Sequence, residues 1–536
     1  MFEIKALDLG ARIGVLRTKS GSIETPYLFP VVDPMLKKQN VSVRELKELG
    51  FNAVITNAYI ALKGYGLNVD IHKAIAFDGV VMTDSGAYQL MVYGDIDIDN
   101  RSIVEFQCRC GSDIGVPLDI PTKAEDPRDR VAYSVLETCR RLEEVLDIVS
   151  SCRNTLWVAP IQGGVHLDLL RLSAKRIIDR GLLSAYSIVA LGSPTTLLER
   201  FRFEKVIEMI GVVRSVIPPS IPLHLFGAGH PMIIPFAVAL GVDTMDSASY
   251  AIYARDGRYM TRRGTYRIEE LDYFPCSCPV CSKYEPRDLV EMSLSERTRL
   301  IALHNLYVLR QELRRVKQAI KEGRLWEYLE EVAHSHPAAK RAFDALLKYY
   351  KVIASRSPAS RGEVKALMIF DSASLYNPRA FTARRRVKQA NFSKWVRGKV
   401  ALVPLLPKWK PLVKSSITAR MRSEGYFVVG YAPVLGPVPS VISEAFPFSQ
   451  YETSVKFCED VLEVSALEVQ EFVERYCDLI EELFVMVCKD IEWSVKMGIH
   501  LYESCCRDRM IRRRLVFINC GEPYDELSRE EGSRNL

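Results

Sequence analysis

Short apolar runs separated by stretches with helical spacing fill the first half of the chain. Between the first two runs, residues 42–50 open on a capping-box pattern of Ser42 and Glu45 and stop at a glycine, as helices do. Eight strand–helix repeats predict a (β/α)8 TIM barrel, in the α/β class. A doubly wound open sheet is the alternative, disfavoured because no Gly-x-Gly-x-x-Gly follows the first run. The eight runs are 27–32, 53–56, 80–83, 114–118, 156–161, 187–191, 223–226 and 242–245.

Polar residues follow these runs at the positions where a barrel carries its chemistry. In a TIM barrel the catalytic groups lie at the C-terminal ends of the strands. A single polar residue at such a position is weak evidence, since loops commonly begin with polar residues. Several of them together predict one pocket, and its candidate residues are Asp84, Asp119, Gln162, Gly192 and Asp246.

Each candidate has a chemical use and a plainer structural one. A carboxylate such as Asp246, at the end of buried structure, can attack an electrophilic carbon or can simply cap the next helix. With Asp84 in the same pocket, one carboxylate can be the nucleophile and the other the general acid/base. Asp119 and Gln162 suit the edge of a purine-like base. Tyr88 can stack on such a base, although an aromatic at a strand end is commonly core.

A cysteine cluster follows the predicted barrel. Cys276, Cys278 and Cys281 lie within six residues, and His304 lies downstream on a predicted helix. Three thiolates and one imidazole suit tetrahedral zinc with every position filled, which makes a structural site. The alternative is cysteines that bind no metal. The spacing predicts one structural Zn²⁺ per subunit.

The other cysteines predict no disulfide framework. The chain has 13 cysteines and no export signal, so reduced thiols are expected apart from the metal site. Four of them, in two closely spaced pairs, are predicted to be structural: Cys108, Cys110, Cys505 and Cys506.

The length of 536 residues and a change of composition predict several domains. Residues 355–362, polar with Pro and Gly, are the best candidate linker. Residues 459–496 have the pattern of a long amphipathic helical stretch. The predicted division is a catalytic barrel over 1–275, a zinc-binding and helical segment over 276–354 that completes it, an α+β C-terminal domain over 363–455, and a helical C-terminal region over 456–536.

The charge and hydropathy narrow the function classes. A net charge of +6 permits a polyanionic partner without requiring one. No run reaches the roughly eighteen apolar residues of a membrane helix, and the N-terminus has no signal-peptide core. A soluble cytoplasmic protein with no membrane partner is expected. Basic runs with tryptophan in the second half can bind nucleic acid or can be ordinary solvated surface.

Four motifs carry a resemblance to a known family. Residues 83–89 (Thr-Asp-Ser-Gly-Ala-Tyr-Gln), 162–164 (Gln-Gly-Gly), 241–246 (Gly-Val-Asp-Thr-Met-Asp) and the Cys-x-Cys-x-x-Cys cluster are similar to those of tRNA-guanine transglycosylases. Residues 191–194, 227–231 and 246–250 resemble the archaeosine-type members. The resemblance covers about the first 350 residues strongly and weakens toward 455. No PUA domain of the kind that archaeal members often carry is recognisable.

The resemblance implies a pentosyltransferase reaction. A guanine at position 15 in the D-arm of tRNA is exchanged for 7-cyano-7-deazaguanine (preQ0) through a covalent Asp–ribose intermediate, and the enzyme is a homodimer. Asp246 matches the nucleophile and Asp84 the general acid/base. The matches to the base pocket are Ser85, Asp119, Gln162 and Gly192, and those to the zinc site are Cys276, Cys278, Cys281 and His304.

Three other readings stay open. A paralogous archaeosine synthase would convert the inserted base, but the aspartates and the zinc residues match the transglycosylase. A metal-dependent barrel hydrolase would need a His-x-His at an early strand end, and none occurs. A non-catalytic tRNA-binding subunit would not need both Asp84 and Asp246.

Overall fold

The computed structural model describes residues 2–87, 98–360, 364–453 and 456–521. The chain forms two compact units, Met1–Arg356 and Ser357–Leu536. The break falls inside the polar segment 355–362 that the sequence marks as a linker. The predicted boundary at 455/456 falls inside the second unit.

The first unit opens with a three-stranded antiparallel sheet and continues into an eight-stranded parallel sheet. A parallel bridge between Val31 and Ile55 connects the first and second strands of the larger sheet and closes it into a ring. All eight predicted strands are present, so the TIM barrel is confirmed. The small sheet contains β1 Phe2–Asp8, β2 Ala11–Arg17 and β3 Ser22–Glu24; the barrel contains β4 Tyr27–Pro30, β5 Ala53–Asn57, β6 Val80–Asp84, β7 Ile114–Gly115, β8 Leu156–Ile161, β9 Ile188–Leu191, β10 Leu223–Leu225 and β11 Thr244–Ser247.

The barrel strands are recognisable in the sequence because they are buried on both faces. Strands of this kind read as continuous apolar runs, and β4 and β9 are buried at every position. The capping box predicted for Ser42 and Glu45 forms at the start of the first helix. The described helices around the barrel are α1 Val43–Glu48, α2 Ala58–Tyr65, α3 Ile71–Ala74, α4 Asn100–Arg109, α5 Arg128–Glu144, α6 Leu146–Ser151, α7 Leu167–Asp179, α8 Thr195–Glu199, α9 Phe203–Val216, α10 Ile234–Ala239 and α11 Ser249–Arg255.

A hairpin and five helices complete the first unit. The cysteine cluster lies between the hairpin and the helices, and His304 lies on the longest helix, as predicted. Leu325–Ala333 and its neighbours pack on the barrel helices, with Trp326 and Phe343 fully or almost fully buried. The elements are β12 Arg258–Thr261, β13 Gly264–Arg267, α12 Pro286–Glu291, α13 Leu294–Glu322, α14 Leu325–Ala333, α15 Pro337–Leu347 and α16 Tyr350–Arg356.

The second unit is an α/β layer around a five-stranded sheet of order β17-β16-β15-β19-β20. A separate parallel pair, β14 and β18, lies outside that sheet. The strands are β14 Leu367–Ile369, β15 Gly398–Pro404, β16 Phe427–Ala432, β17 Gly436–Pro439, β18 Tyr451–Thr453, β19 Ile480–Cys488 and β20 Arg512–Ile518; the helices are α17 Pro378–Gln389, α18 Ser416–Ser423, α19 Glu459–Glu474 and α20 Glu492–Ser504.

The prediction of a long helical stretch over 459–496 is wrong. Helix α19 ends at Glu474, and β19 follows as a central strand that pairs with both β15 and β20. Residues 483–488 form a short apolar run, and periodicity alone does not separate a short buried strand from a buried helical segment. Because β15 and β19 pair, residues before and after 455 share one sheet.

The prediction of reduced thiols outside the metal site is also wrong. Three disulfides join cysteines that are 44, 29 and 32 positions apart in sequence. The fold brings their Cα atoms to 5.4–6.1 Å, within the range that a disulfide spans, and sequence spacing could not show this proximity. Of the four cysteines predicted to be structural thiols, Cys110 and Cys505 are free and buried, whereas Cys108 and Cys506 form disulfides. The bonded pairs are Cys108–Cys152, Cys477–Cys506 and Cys488–Cys520.

None of the helices in the described ranges has both the length and the apolar character that crossing a membrane requires.

Candidate active site

A cavity of about 730 Å³ opens at the C-terminal ends of the barrel strands. Its volume lies in the range of about 300–1,000 Å³ that is typical of small-molecule sites. The fold brings together six of the seven residues proposed from the sequence for catalysis and base binding. Tyr88, the seventh, lies outside the described residues. The six on the cavity wall are Asp84, Ser85, Asp119, Gln162, Gly192 and Asp246.

Asp84 ends strand β6 and is held by neutral donors. Its carboxylate accepts from the side-chain amide of Asn57, at 3.1 Å, and from the backbone N–H of Gly86, at 2.6 Å. Asn57 is the paired residue on β5 and also caps α2 through its side-chain oxygen. Burial raises the pKa of Asp84 to about 7, the Gly86 hydrogen bond opposes this, and the nearby carboxylate of Asp246 adds to it. Asp84 can therefore hold or release a proton near neutral pH.

Asp119 and Gln162 form a polar chain after β7 and β8, the two strands that follow β6 in the barrel ring. The Gln162 amide donates to Asp119 at 2.5 Å, and the Ser193 hydroxyl donates to the Gln162 carbonyl oxygen at 2.8 Å. Ser193 itself accepts from the backbone N–H of Thr122. Its proton is therefore directed to Gln162, which fixes the orientation of the amide. Burial raises the pKa of Asp119 to about 6, against the lowering effect of the Gln162 hydrogen bond.

Gly192 leaves room for this polar chain. A Cβ at that position would collide with the side-chain amide of Gln162. The glycine is therefore required for the close approach of the β9 end to Gln162. Ser193, which follows it, has a φ of +65°, a left-handed conformation that a non-glycine residue adopts only under local constraint.

Asp246 lies on β11 and its side chain is 13% exposed. Its Oδ1 accepts from the backbone N–H of Gly227 at 3.0 Å and lies 3.1 Å from Nε2 of His224. These contacts hold the carboxylate at the cavity wall rather than at the start of a helix. Asp246 does not cap a helix, because α11 begins at Ser249 and no side chain caps it.

Besides the carboxylates, the cavity wall contains three cationic side chains: Lys38, Arg255 and Arg258. Arg255 is anchored by hydrogen bonds to the side chain of Asn40 and the backbone carbonyl of Lys38. The guanidinium of Arg258 lies 3.7 Å from the ring centroid of Tyr253. Arg258 also forms a salt bridge with Asp256 at 3.0 Å. The positive charges of Lys38 and Arg255, which have no carboxylate partner among the described residues, give this part of the cavity affinity for an anionic group.

The predicted metal ligands form one cluster. The three sulfur atoms and a ring nitrogen of His304 lie within 4.8 Å of one another. Nδ1 of His304 is 3.5 Å from Sγ of Cys278 and 3.4 Å from Sγ of Cys281, and those two sulfur atoms are 3.5 Å apart. A tetrahedral ion with metal–ligand bonds of about 2.0–2.3 Å separates its ligand atoms by roughly 3.5–3.8 Å. The donor set therefore fits a metal ion.

The surroundings of His304 fix which ring nitrogen faces the sulfur atoms. Nε2 lies 2.8 Å from the backbone carbonyl of Met260, which can only accept, so Nε2 carries the proton. The lone pair of Nδ1 is then directed at the thiols, as in metal sites whose histidine is oriented by a second partner. The ring of Tyr259 stacks on the imidazole at 3.6 Å between centroids.

Four residues that hydrogen-bond to the predicted site residues were not predicted from the sequence: Asn57, Ser193, His224 and Gly227. Ser193 and Gly227 stand in glycine-bearing loops at strand ends, and this signal was available. His224 lies inside an apolar strand, where a histidine is commonly a buried core residue. Its role depends on the register of β10 with β11, which the sequence does not give.

The chain is similar in sequence to known proteins over most of its length. The family model described as Queuine tRNA-ribosyltransferase matches residues 8–338. The chain is 43% identical over 509 residues to the tRNA-guanine(15) transglycosylase of Saccharolobus solfataricus, covering 94% of this chain and 98% of that protein. It is 46% identical over 458 residues to the protein of the same name from Aeropyrum pernix, covering 84% and 87%. The protein of that name from Pyrococcus abyssi is 40% identical over 461 residues, covering 85% and 71%.

Proposed function

We propose a reaction for this chain from one premise: the chain belongs to the family described as Queuine tRNA-ribosyltransferase. The chain is an archaeal-type tRNA-guanine transglycosylase, a pentosyltransferase. It exchanges the guanine at position 15 of tRNA for 7-cyano-7-deazaguanine, a step in archaeosine formation. The single observation that carries the proposal is that Asp84 and Asp246 line the same cavity at the C-terminal end of the barrel.

The two carboxylates divide the chemistry. A carboxylate oxygen of Asp246 forms a bond to C1′ of the nucleotide while the bond from C1′ to N9 of guanine breaks, and the electron pair goes to N9. Protonated Asp84 gives a proton to the departing guanine. The incoming base then loses its N9 proton to Asp84, and N9 attacks C1′, which releases Asp246. A pKa of about 7 supports Asp84 in both roles.

Asp119 and Gln162 support recognition of the base. The carboxylate of Asp119 can accept from the ring N–H and the exocyclic amine of guanine. Guanine and 7-cyano-7-deazaguanine share that edge, so the same residues can hold the leaving and the incoming base. Ser85, buried on the cavity wall, and Gly192 complete this part of the proposed site. Tyr88 remains a prediction as a stacking residue.

The tRNA must present its base outside the stacked helix, because the base and C1′ have to enter the cavity to reach Asp84 and Asp246. Lys38, Arg255 and Arg258 on the cavity wall support binding of the neighbouring phosphates. We place the reaction in the cytoplasm, where tRNA is modified, and we propose a homodimer on the family resemblance. Light scattering on the purified protein measures the oligomeric state.

Base exchange is tested directly with labelled guanine and unmodified tRNA. The purified chain should incorporate guanine or 7-cyano-7-deazaguanine into full-length tRNA without breaking the strand, and quenching in denaturant should trap a protein–tRNA adduct. A tRNA whose position 15 is adenine is the matched control and should incorporate neither base. Binding of tRNA without incorporation would contradict the proposal and favour the non-catalytic tRNA-binding subunit.

Zinc is the metal we propose for the cysteine cluster. Three thiolates and a histidine with all four positions filled favour Zn²⁺ in a structural role, in which it would hold the segment between β13 and α12 against α13. Metal analysis should give one zinc per chain, and Cys278→Ser should lower both the zinc content and the midpoint of thermal unfolding. Cys139→Ser changes a buried free thiol outside the cluster and is the control. A zinc-free chain that unfolds at the same temperature as the loaded one would contradict the assignment.

A further inference from the structure

Two donors hold the same oxygen of Asp246. Nε2 of His224 lies 3.1 Å from Oδ1, and the backbone N–H of Gly227 donates to that atom at 3.0 Å. Oδ2 accepts no hydrogen bond from the residues that the structure describes. The two oxygens of the carboxylate are therefore unequal before any substrate arrives.

His224 is fixed on every side. It pairs with Thr244 across β10 and β11, and it is 1% exposed. Its ring lies 4.7 Å from the ring of Phe226 and 6.0 Å from that of Phe29, centroid to centroid. This packing holds the imidazole in the orientation in which Nε2 faces Asp246.

The hydrogen-bond partners of His224 determine the position of its proton. A carboxylate can only accept, so Nε2 carries a proton that it donates to Asp246. Nδ1 lies 3.0 Å from the hydroxyl of Thr244, so the second ring nitrogen also has a hydrogen-bond partner. A chain of hydrogen bonds thus runs from Thr244 through His224 to Oδ1 of Asp246.

We propose that His224 is a positioning residue for the nucleophile: together with the N–H of Gly227 it holds Oδ1 of Asp246, so that Oδ2 is the atom that bonds to C1′. The inference rests on the proposed function, because it needs Asp246 to form the ribosyl ester. In that ester Oδ1 is the carbonyl oxygen and still faces His224. When the incoming base attacks C1′, the Oδ2–C1′ bond breaks and its electron pair returns to the carboxylate.

The two donors favour the second half of the exchange. Hydrogen bonds to an ionised acceptor are roughly twice as strong as those to a neutral one. The donors therefore stabilise the free carboxylate more than the ester carbonyl, and they assist departure of Asp246 from C1′. Removing one donor should shift the balance between free enzyme and covalent adduct toward the adduct.

His224→Phe tests this, because phenylalanine keeps a flat ring and removes the donor. At a fixed guanine concentration the ratio of adduct to free enzyme, read on denaturing gels, should rise about 10-fold. The rate at which added guanine chases the adduct back to tRNA should fall by about 10- to 100-fold. A structure of the trapped adduct should show the ester at Oδ2, with Oδ1 still facing residue 224.

Three variants make the test specific. His224→Gln keeps an N–H near the position of Nε2 and should restore much of the wild-type ratio. Thr244→Val removes the hydroxyl behind Nδ1 with little change of shape, and should shift the ratio in the same direction by a smaller factor. It also keeps the test usable if His224→Phe does not fold. His72→Phe alters a histidine that lies 3.3 Å from the carboxylate of Asp113, outside the cavity, and should leave the ratio unchanged.

Two results would overturn the inference, and they are distinguishable. If His224→Phe and Thr244→Val leave the ratio unchanged or lower it while wild type forms the adduct, His224 has only a packing role. If wild type itself forms no adduct and incorporates no guanine, the proposed function fails and the inference fails with it.

Discussion

Two aspartates stand near opposite ends of β11, Asp243 just before the strand and Asp246 within it, and their surroundings differ. Asp243 precedes the strand at its N-terminal end and is 1% exposed. Its carboxylate accepts from Arg12 at 2.8 Å, from Arg214 at 3.0 Å and from the backbone N–H of Leu223 at 2.9 Å. Asp246, three positions later, has no arginine or lysine partner among the described residues.

The difference in partners distinguishes Asp243, a structural carboxylate, from Asp246, a carboxylate available for reaction. Asp243 is charge-paired twice, and the arginines are in turn tied to backbone carbonyls such as those of Gly241 and Ile221. Asp84 and Asp246, at the other end, meet amide, imidazole and backbone donors, which hold a carboxylate without neutralising it. One end of the barrel therefore supplies stability, while the other keeps carboxylates available for chemistry.

Asp246→Asn should produce the largest effect of these substitutions, a loss of base-exchange activity with little change in stability. Asparagine cannot form the ribosyl ester, so exchange should fall by on the order of 10⁴-fold or more, with no trapped adduct. The side-chain oxygen can still accept from His224 and Gly227, so the free energy of unfolding should change by less than about 1 kcal/mol. Incorporation kinetics and urea unfolding measure the two quantities. Exchange retained within tenfold would remove the contrast with Asp243.

Asp243→Asn should affect stability instead. It leaves Arg12 and Arg214 buried without their counter-ion, and breaking a buried pair in this way costs about 3–5 kcal/mol. Burial, together with the nearby charge of Arg12, already lowers the pKa of Arg214 to about 9, so this guanidinium depends on its carboxylate partner. Urea unfolding should show the loss. Exchange per folded molecule should match wild type, and a selective loss of exchange would mean that the two ends are coupled.

The disulfide of the first unit should behave like Asp243. Cys108 is on α4 and Cys152 follows α6, so the bond closes a loop of 44 positions beside the strand starts. Removing it with the double change Cys108→Ser and Cys152→Ser should lower the free energy of unfolding by about 2–4 kcal/mol and leave exchange unchanged. Cys110→Ser, at a free thiol beside it, is the control. Equal stability of the bonded and serine forms would contradict a stabilising role.

The sequence predicts the reactive end better than the stabilising one, for a physical reason. Asp84, Asp119 and Asp246 end apolar runs, and a closed barrel brings strand ends together whatever the details of packing. Asp243 gains its role from Arg12 and Arg214, which lie far away in sequence and meet it only in the folded chain. The disulfides and the His224 contact were missed for the same reason.

The wrong prediction of a helix in place of β19 has a different cause, which is that the local sequence pattern fits both structures. Residues 483–488 are all apolar, which fits a buried helix as well as a buried strand, and pairing with β15 and β20 makes them part of a strand. The cysteine cluster was predictable because three of its four ligands lie within six residues. Where the partners are close in sequence, spacing predicts the site; where the fold assembles them, it does not.

Asp84→Asn sharpens the comparison with a smaller expected effect on stability than Asp243→Asn, and with the opposite sign. Burial raises the pKa of Asp84 to about 7, far above the value of about 3.9 in an unfolded chain. Between those values the folded state binds more protons than the unfolded state, so Asp84 lowers stability progressively as pH rises from about 4 to 7. The asparagine variant should therefore be more stable than wild type by about 1–3 kcal/mol at pH 8, and the two should converge toward pH 4. Urea unfolding across this pH range measures the difference, with Asp33→Asn, another aspartate of the cavity wall, as the control. A variant less stable than wild type at pH 8 would mean that Asp84 is a stabilising carboxylate like Asp243, and the contrast between the two ends would be lost.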